Sequence, residues 1–546
     1  MHTKNNKTSM KHVTWITAAA MAMAICACSD NDTNSNGTLS GGGSTVSGGS
    51  ITIEFDETSL EETDEVYTDE TTDEDLYDDY VENAGEFKNV VTITYDGNSA
   101  TYESTDTDGD IEVTVDGADV TVNAAKKAQY ILQGTSTDGS FKVYSEKKFQ
   151  VQLAGLTLTN PTGSAINSQS KKRMYLVVAD GTENTLQDGT TYTASVPAYD
   201  DEGNPTGDTE DEKGVVFSEG QIIVSGSGKL NINAVGKNGL ASDQYLRVRP
   251  TTRITVEAAS TASNAVKADS IIIMGGVLNL STASADGKGL QCNEDEDVSN
   301  IIIQGGRTTV ITTGEGDSSS GGGGMTPGGG GGFGPHRAAS TSSSGNAPKG
   351  VKALGRIIVE GGTLRVRCDG ASGEGIESKY SGSNAAILVS GGTVLAYSKQ
   401  DDAVNAAGII KVTDGSLHAY ATGNDAIDSN YNRSGAVTVT GGTMVGISTA
   451  GSPEEGIDCD NVSNIVVTGG TLIGLGGSQS GGSSLSSACT QGYYIGSGQT
   501  FTAGTTYTLY SGSTTYLQFT TPLSVSSQLT ILSAPGMTVG GSYQIQ

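Results

Sequence analysis

Carboxylates return at a near-constant spacing in the second half of this chain. Ten aliphatic residues, Ile166, Val215, Leu240, Val266, Leu290, Val351, Ile376, Val404, Ile427 and Ile457, each close a short polar bend, and they recur every 23 to 30 residues outside two longer gaps. Two places before them stand Ser164, Lys213, Asn238, Asn264, Lys288, Lys349, Glu374, Asp402, Asp425 and Glu455. One place after them the series ends in Glu377, Asn405, Asp428 and Asp458. If each repeat is one turn of a stacked coil, equivalent side chains sit ~4.8 Å apart. Like charges at that distance repel by roughly 0.9 kcal/mol in water and about 3.5 kcal/mol at an effective dielectric of 20. Such a row needs water or a bridging cation. Ca²⁺, with oxygen ligands at ~2.4 Å, spans carboxylates of adjacent coils. The candidate calcium ligands are Glu374, Glu377, Asp402, Asp425, Asp428, Glu455 and Asp458. The competing reading is a solvated acidic edge that blocks sideways association.

A second set of residues falls on alternating strands that follow Gly-Gly pairs. Alternation turns Arg365 and Arg367, then Leu395 and Tyr397, then His418 and Tyr420 to one surface. Tyr rings give a flat apolar strip for sugar rings, and an Arg guanidinium forks onto a uronate carboxylate. Arg365, Arg367, Tyr397, His418 and Tyr420 are therefore the candidate glycan platform, set against a plain cross-strand ladder that only stabilises the sheet. The chain carries no nucleophile elbow, phosphate loop or zinc motif.

The elements that must position these residues are short β-branched runs, such as Val90-Val91-Thr92-Ile93 and Ile111-Glu112-Val113-Thr114-Val115. From residue 220 onward a unit repeats: a β run, a Gly-Gly pair, an alternating strand and a polar bend. The pairs run from Gly275-Gly276 to Gly469-Gly470, with Asp414-Gly415 standing in once. A period near 25 residues with three short strands and no helical periodicity predicts an all-β, right-handed parallel β-helix, a β-solenoid, over residues 88–484. The longer gaps hold a polar excursion around Asp200 to Glu212 and a Gly-rich insertion over 314–348. Residues 485–546 keep β-rich texture without the Gly-Gly unit and are expected to form a cap over the open end.

At the other terminus, Lys4, Lys7 and Lys11 precede an apolar run from Val13 to Ile25 and then Cys26-Ala27-Cys28. This is the pattern of a signal peptide over residues 1–27, with lipid attachment at Cys28. Ser29-Asp30-Asn31-Asp32 resembles an acidic surface-export signal, so the expected location is the outer membrane, at the cell surface, held by lipid alone. Residues 28–87 read as a disordered, acidic tether. Lys plus Arg number 31 against 62 Asp plus Glu, a net charge of −31, which argues against nucleic acid as a partner. Cys292, Cys368, Cys459 and Cys489 have no metal-type spacing and read as small buried residues, with disulfide pairing left open.

With these features in view, residues 88 to 546 resemble a family of bacterial surface carbohydrate-binding proteins that fold as calcium-containing parallel β-helices similar to pectate lyases. The resemblance rests on Tyr130-Ile131-Leu132-Gln133-Gly134 followed by Asp138-Gly139, on Val151-Gln152-Leu153-Ala154-Gly155-Leu156-Thr157-Leu158, and on Gly181-Thr182-Glu183-Asn184-Thr185-Leu186. The Gly-Gly-Thr units and the Glu-Gly-Ile-Glu and Asp-Ala-Ile-Asp bends add to it. It implies capture of plant cell-wall polysaccharide, acidic pectic chains such as polygalacturonate and also cellulose, with Ca²⁺ support and without demonstrated cleavage. The chain departs from the family where Lys213, Lys267, Lys288, Lys349 and Lys352 replace acidic residues in the early bends. Two other classes stay open: a Ca²⁺-dependent pectate lyase with Arg365, Arg367 or Lys399 as base, and an adhesin or structural surface protein.

Overall fold

The computed structural model describes residues 44–47, 49, 51–55, 87–193, 196–199, 205–295, 298–317 and 346–546. The expected signal peptide with Cys28, the acidic run over 56–86 and most of the Gly-rich insertion lie outside the described residues. Among the described residues the regular structure is β-strand, with one 3-10 turn at Val462–Asn464.

The strands form long parallel ladders, and one repeat shows how. Strands Lys349–Ala353, Ile357–Val359 and Thr363–Cys368 follow one another along the chain. Each pairs in parallel with its equivalent in the next repeat, Glu374–Ser378, Ala385–Val389 and Thr393–Ser398. The first of these ladders belongs to a twelve-stranded sheet. The other two ladders meet at the long strand Phe149–Thr159, whose start pairs with Met174–Val178 and whose end pairs with Glu183–Gln187. The architecture is thus an all-β stack of parallel sheets, compatible with the expected solenoid.

Registry explains the stability of the stack. Leu240, Val266, Leu290, Val351, Ile376, Val404 and Ile427 pair in succession, and the bridge between Asp428 and Asp458 carries the column on to Ile457. All eight are buried, and each fully buried aliphatic contributes about 1.5–3 kcal/mol. One register differs from expectation. Val216, not Val215, pairs with both Ile166 and Leu240. The strand Gly214–Ser218 is buried at every position, so a hydrophobicity pattern does not separate the two valines. Lys213 therefore falls outside the column that Gly214 occupies.

The Gly-Gly pairs sit where the chain turns between two ladders. The second glycine is left-handed each time, with φ of 69° at Gly362, 68° at Gly392 and 69° at Gly415. A side chain there is strained, which is why Asp414 replaces only the first member. At a second corner small residues face inward, and Ser242, Ser378 and Ser429 each donate to a glycine carbonyl of the previous repeat, Gly220, Gly355 and Gly408, at 2.8 to 2.9 Å.

The C-terminal strands build a second apolar cluster outside the stack. Leu395, Tyr420, Val445, Ile447, Ile473 and Leu475 alternate with the inner residues and pack against Phe501, Leu509, Leu517, Phe519 and Leu532. Strand Leu529–Ser533 also pairs antiparallel with Thr471–Gly476, which satisfies the edge of the last repeat. Part of the expected tether joins this cluster. Ser44–Val46 runs parallel to Thr514–Thr520, and Ile53 is 1% exposed. Cys292, Cys368, Cys459 and Cys489 are buried and unpaired.

Candidate functional site

The expected acidic row is real in its registry, but its members have different surroundings. Lys349 and Glu374 are register partners, as are Lys352 and Glu377, because the sequence changes from Lys to Glu between two successive repeats. Lys349 Nζ lies 2.9 Å from Glu374 Oε1, with both side chains buried. Glu377 pairs with Lys352 at 3.1 Å and with Lys379. Burial opposes ionisation of Glu377, but Lys349, Lys352 and Lys379 outweigh it and pull its carboxyl down to about 2. Glu374 goes the other way. Burial, with repulsion from Glu377 and Asp401, exceeds the pull of Lys349 and raises it to about 7.

The most metal-like geometry is the group Glu374, Asp401 and Asp402, which bring one oxygen each within 4.8 Å of one another. Glu374 Oε2 is buried without a hydrogen-bond partner. Asp402 accepts from Asn405 Nδ2 at 3.0 Å and from the Asp425 N–H at 3.1 Å. Burial, then Asp428, Asp401, Asp425 and Glu374, hold its carboxyl well above the usual range. An oxygen donor set with one orphaned buried oxygen suits a hard cation. Asp401 was missed in the sequence because it lies outside both aligned positions. The adjacent Asp401-Asp402 pair was the available signal.

The remaining acids form a second group one and two repeats on. Asp428 bridges in register to Asp458, and burial with that neighbour's charge raises Asp428 strongly. Burial and Asp458 do the same to Asp425, whose Oδ1 accepts the Glu455 N–H. Glu455 is already spoken for. Its Oε1 accepts the N–H groups of Gln479 and Ser480 at 2.5 and 2.6 Å, and its Oε2 accepts the Ser480 hydroxyl at 2.6 Å. Such a carboxylate orders the loop around Ser480.

The five platform residues do share one surface, in two adjacent rows. Arg365, Leu395, His418 and Val445 pair in succession, as do Arg367, Tyr397, Tyr420 and Ile447. Their accessibility differs. Arg367 Nε is held by Asp369 at 2.8 and 3.0 Å, and Tyr397 is half-buried. Tyr420 has no exposed surface, and burial raises its hydroxyl to about 12. What seals it is the segment over 44–55. A methyl group at Gly49 would stand 3.3 Å from both His418 Nδ1 and the Tyr420 hydroxyl. Burial also lowers the His418 pKa. Further along, Glu54 and Phe55 line the same hollow as Arg365 and Leu395.

Stacked parallel sheets with charged and aromatic side chains in rows on their outer faces define a repeat scaffold that presents an extended surface. Residues 116–401, more than half of the chain, match the model of the carbohydrate-binding domain-containing protein family, and the chain belongs to that family. A carbohydrate-binding domain-containing protein of Acetivibrio thermocellus is 30% identical over 139 residues, which is 24% of this chain and 45% of that relative. The match spans less than half of the relative's length. A solved structure described as the polysaccharide lyase-like protein from C. thermocellum, a gadolinium derivative, covers 54% of this chain and 98% of its own, with 18% identity and a TM-score of 0.34.

Proposed function

We propose that the protein is a cell-surface lipoprotein that captures plant cell-wall polysaccharide, with acidic pectic chains as its ligand and Ca²⁺ as a structural support. The observation that supports the carbohydrate-binding part of this reading is the family match over residues 116–401, which spans the larger part of the stacked repeats. A stack of rigid coils suits an extended polymer, since ligand groups meet side chains already fixed by registry. In this reading the coils form a right-handed β-helix with the C-terminal strands as its cap, and Cys28 carries the lipid that holds the protein at the outer membrane. Calcium binds at Glu374, Asp401 and Asp402, where it neutralises mutual repulsion and ties two repeats together.

Affinity electrophoresis of the full chain through gels containing polygalacturonate, pectin or hydroxyethylcellulose, with and without chelator, tests the proposal. Retardation by polygalacturonate is the expected result. Free migration in every gel would leave the adhesin reading in its place.

A further inference from the structure

The outer face of one ladder carries a net positive strip on a chain of net charge −31. Along the outward positions of strands Glu183–Gln187 through Thr363–Cys368 stand five cations, Lys229, Arg253, Arg307, Arg365 and Arg367. Two carboxylates, Glu183 and Glu257, share those positions and Asp369 holds Arg367, so the strip has a net charge of +2. Beside the row of Lys229, Arg253 and Arg307 runs a middle row of hydrogen-bonding side chains. Asn231, Thr255 and Asn279 follow one another in register, and the next position, the fully buried Thr309, leads to Arg365. Asn231 and Asn279 line a groove together with Lys229 and Arg253.

A second observation singles out that groove. Asn279 is 4% exposed, yet its amide oxygen has no hydrogen-bond partner. An unpaired buried carbonyl is costly, and a ligand hydroxyl entering the groove supplies the missing donor. Toward the C-terminal repeats the same rows turn to Leu395, His418 and Tyr420, and the segment over 44–55 covers them. That boundary fixes where the open track ends, at Arg365, which shares a hollow with Glu54 and Phe55 of that segment.

We infer that the strip from Lys229 to Arg365 is a binding track for a polyanionic polysaccharide that lies along the stacking direction, its carboxylates on the cations and its hydroxyls on the middle row. This deepens, and rests on, the carbohydrate-binding reading. The strands from Lys229 to Arg365 are four steps apart, roughly 19 Å at ~4.8 Å per step. A small anion reaches one or two of these charges, while a chain with a carboxylate on every residue reaches all of them. Affinity is therefore expected to climb with ligand length up to about the span of the strip, and to fall with added salt.

The test uses the full chain, polygalacturonate and a neutral polysaccharide such as hydroxyethylcellulose, in affinity gels and by titration calorimetry. Lys229→Gln, Arg253→Gln and Arg307→Gln combined should weaken polygalacturonate binding more than 10-fold, with a cooperative thermal transition kept and unchanged retention by the neutral gel. Asn279→Ala alone should cost a few-fold. Wild-type affinity for polygalacturonate in the triple variant would overturn the track and leave carbohydrate binding intact, as would a wild type retained only by the neutral gel. A wild type retained by no polysaccharide would remove both.

Discussion

Tyr397 and Tyr420 are direct register partners on neighbouring parallel strands, yet only Tyr397 reaches solvent. The difference comes from what lies above them. The backbone at Gly49 closes over the Tyr420 hydroxyl, and Ile53 fills the apolar cluster beside it. Tyr420 therefore works as a core residue on the outside of the stack. Tyr420→Ala should destabilise the protein by about 3–5 kcal/mol, the range for deleting a buried aromatic ring. Tyr397→Ala should cost much less. Denaturant melts of the two variants check this, and equal midpoints would mean that the segment over Gly49 does not seal Tyr420 in solution.

The covering segment itself is testable through Ile53. Burying an isoleucine side chain contributes about 1.5–3 kcal/mol, and a carboxylate in its place adds the cost of an unpaired buried charge. Ile53→Asp should release residues 44–55 from the Thr514–Thr520 strand and the Leu395 surface. Limited proteolysis should then cut within 44–55 well before it cuts the repeats. Identical cleavage of variant and wild type would show that Ile53 does not hold the segment.

The sequence made the inner column legible from Leu240 to Ile457, because each repeat sets one aliphatic at a fixed distance from a bend and a Gly-Gly pair. It misplaced Val215 for the same reason, since two adjacent valines satisfy the same pattern and only backbone pairing chooses Val216. Strand alternation also revealed which side of the sheet Tyr420 faces. It carried no information on what covers that side, because the cover comes from residues 44–55 and from strands beyond residue 490, both far from Tyr420 along the chain. The Lys-to-Glu change between Lys349 and Glu374 was visible as a break in a row. Its meaning, a buried ion pair across repeats, needed the registry of the two strands.

That ion pair yields a third prediction. Lys349 and Glu374 are both buried and 2.9 Å apart. Removing one partner leaves the other charge uncompensated, which costs about 3–5 kcal/mol in comparable buried pairs. Lys349→Met should therefore be strongly destabilising. Adding Glu374→Gln to Lys349→Met should recover most of the loss, since neither side chain then carries a charge. A double-mutant cycle by chemical denaturation measures the coupling, and strictly additive losses would place the two side chains apart in solution.

The acidic repeats predict how stability depends on pH in metal-free buffer. Asp402, Asp425 and Asp428 are raised above the usual carboxylate range, first by burial and then by one another or Asp458, and Glu374 stands at about 7. Unfolded carboxylates titrate near 4. Between those values the folded state binds more protons than the unfolded state, so stability must fall as pH rises through this window. Glu377 acts in the opposite sense. With a folded value of about 2, its contribution is full above roughly 4.3 and is lost as pH falls toward 2. In chelator the thermal midpoint should therefore peak in mildly acidic buffer and decline toward pH 8. In the proposed calcium reading the cation takes the ionised carboxylates, and added calcium should lift the midpoint most at pH 8, by an amount equivalent to about 2.7 kcal/mol when its concentration is 100 times its dissociation constant. Asp402→Asn removes one buried charge. It should raise the midpoint of the chelated protein at pH 8 and shrink the calcium response. Differential scanning calorimetry across this range separates the two readings of the row: a chelated profile that is flat from pH 4.5 to 8, with no calcium shift, would make these carboxylates a hydrated edge with no bound cation.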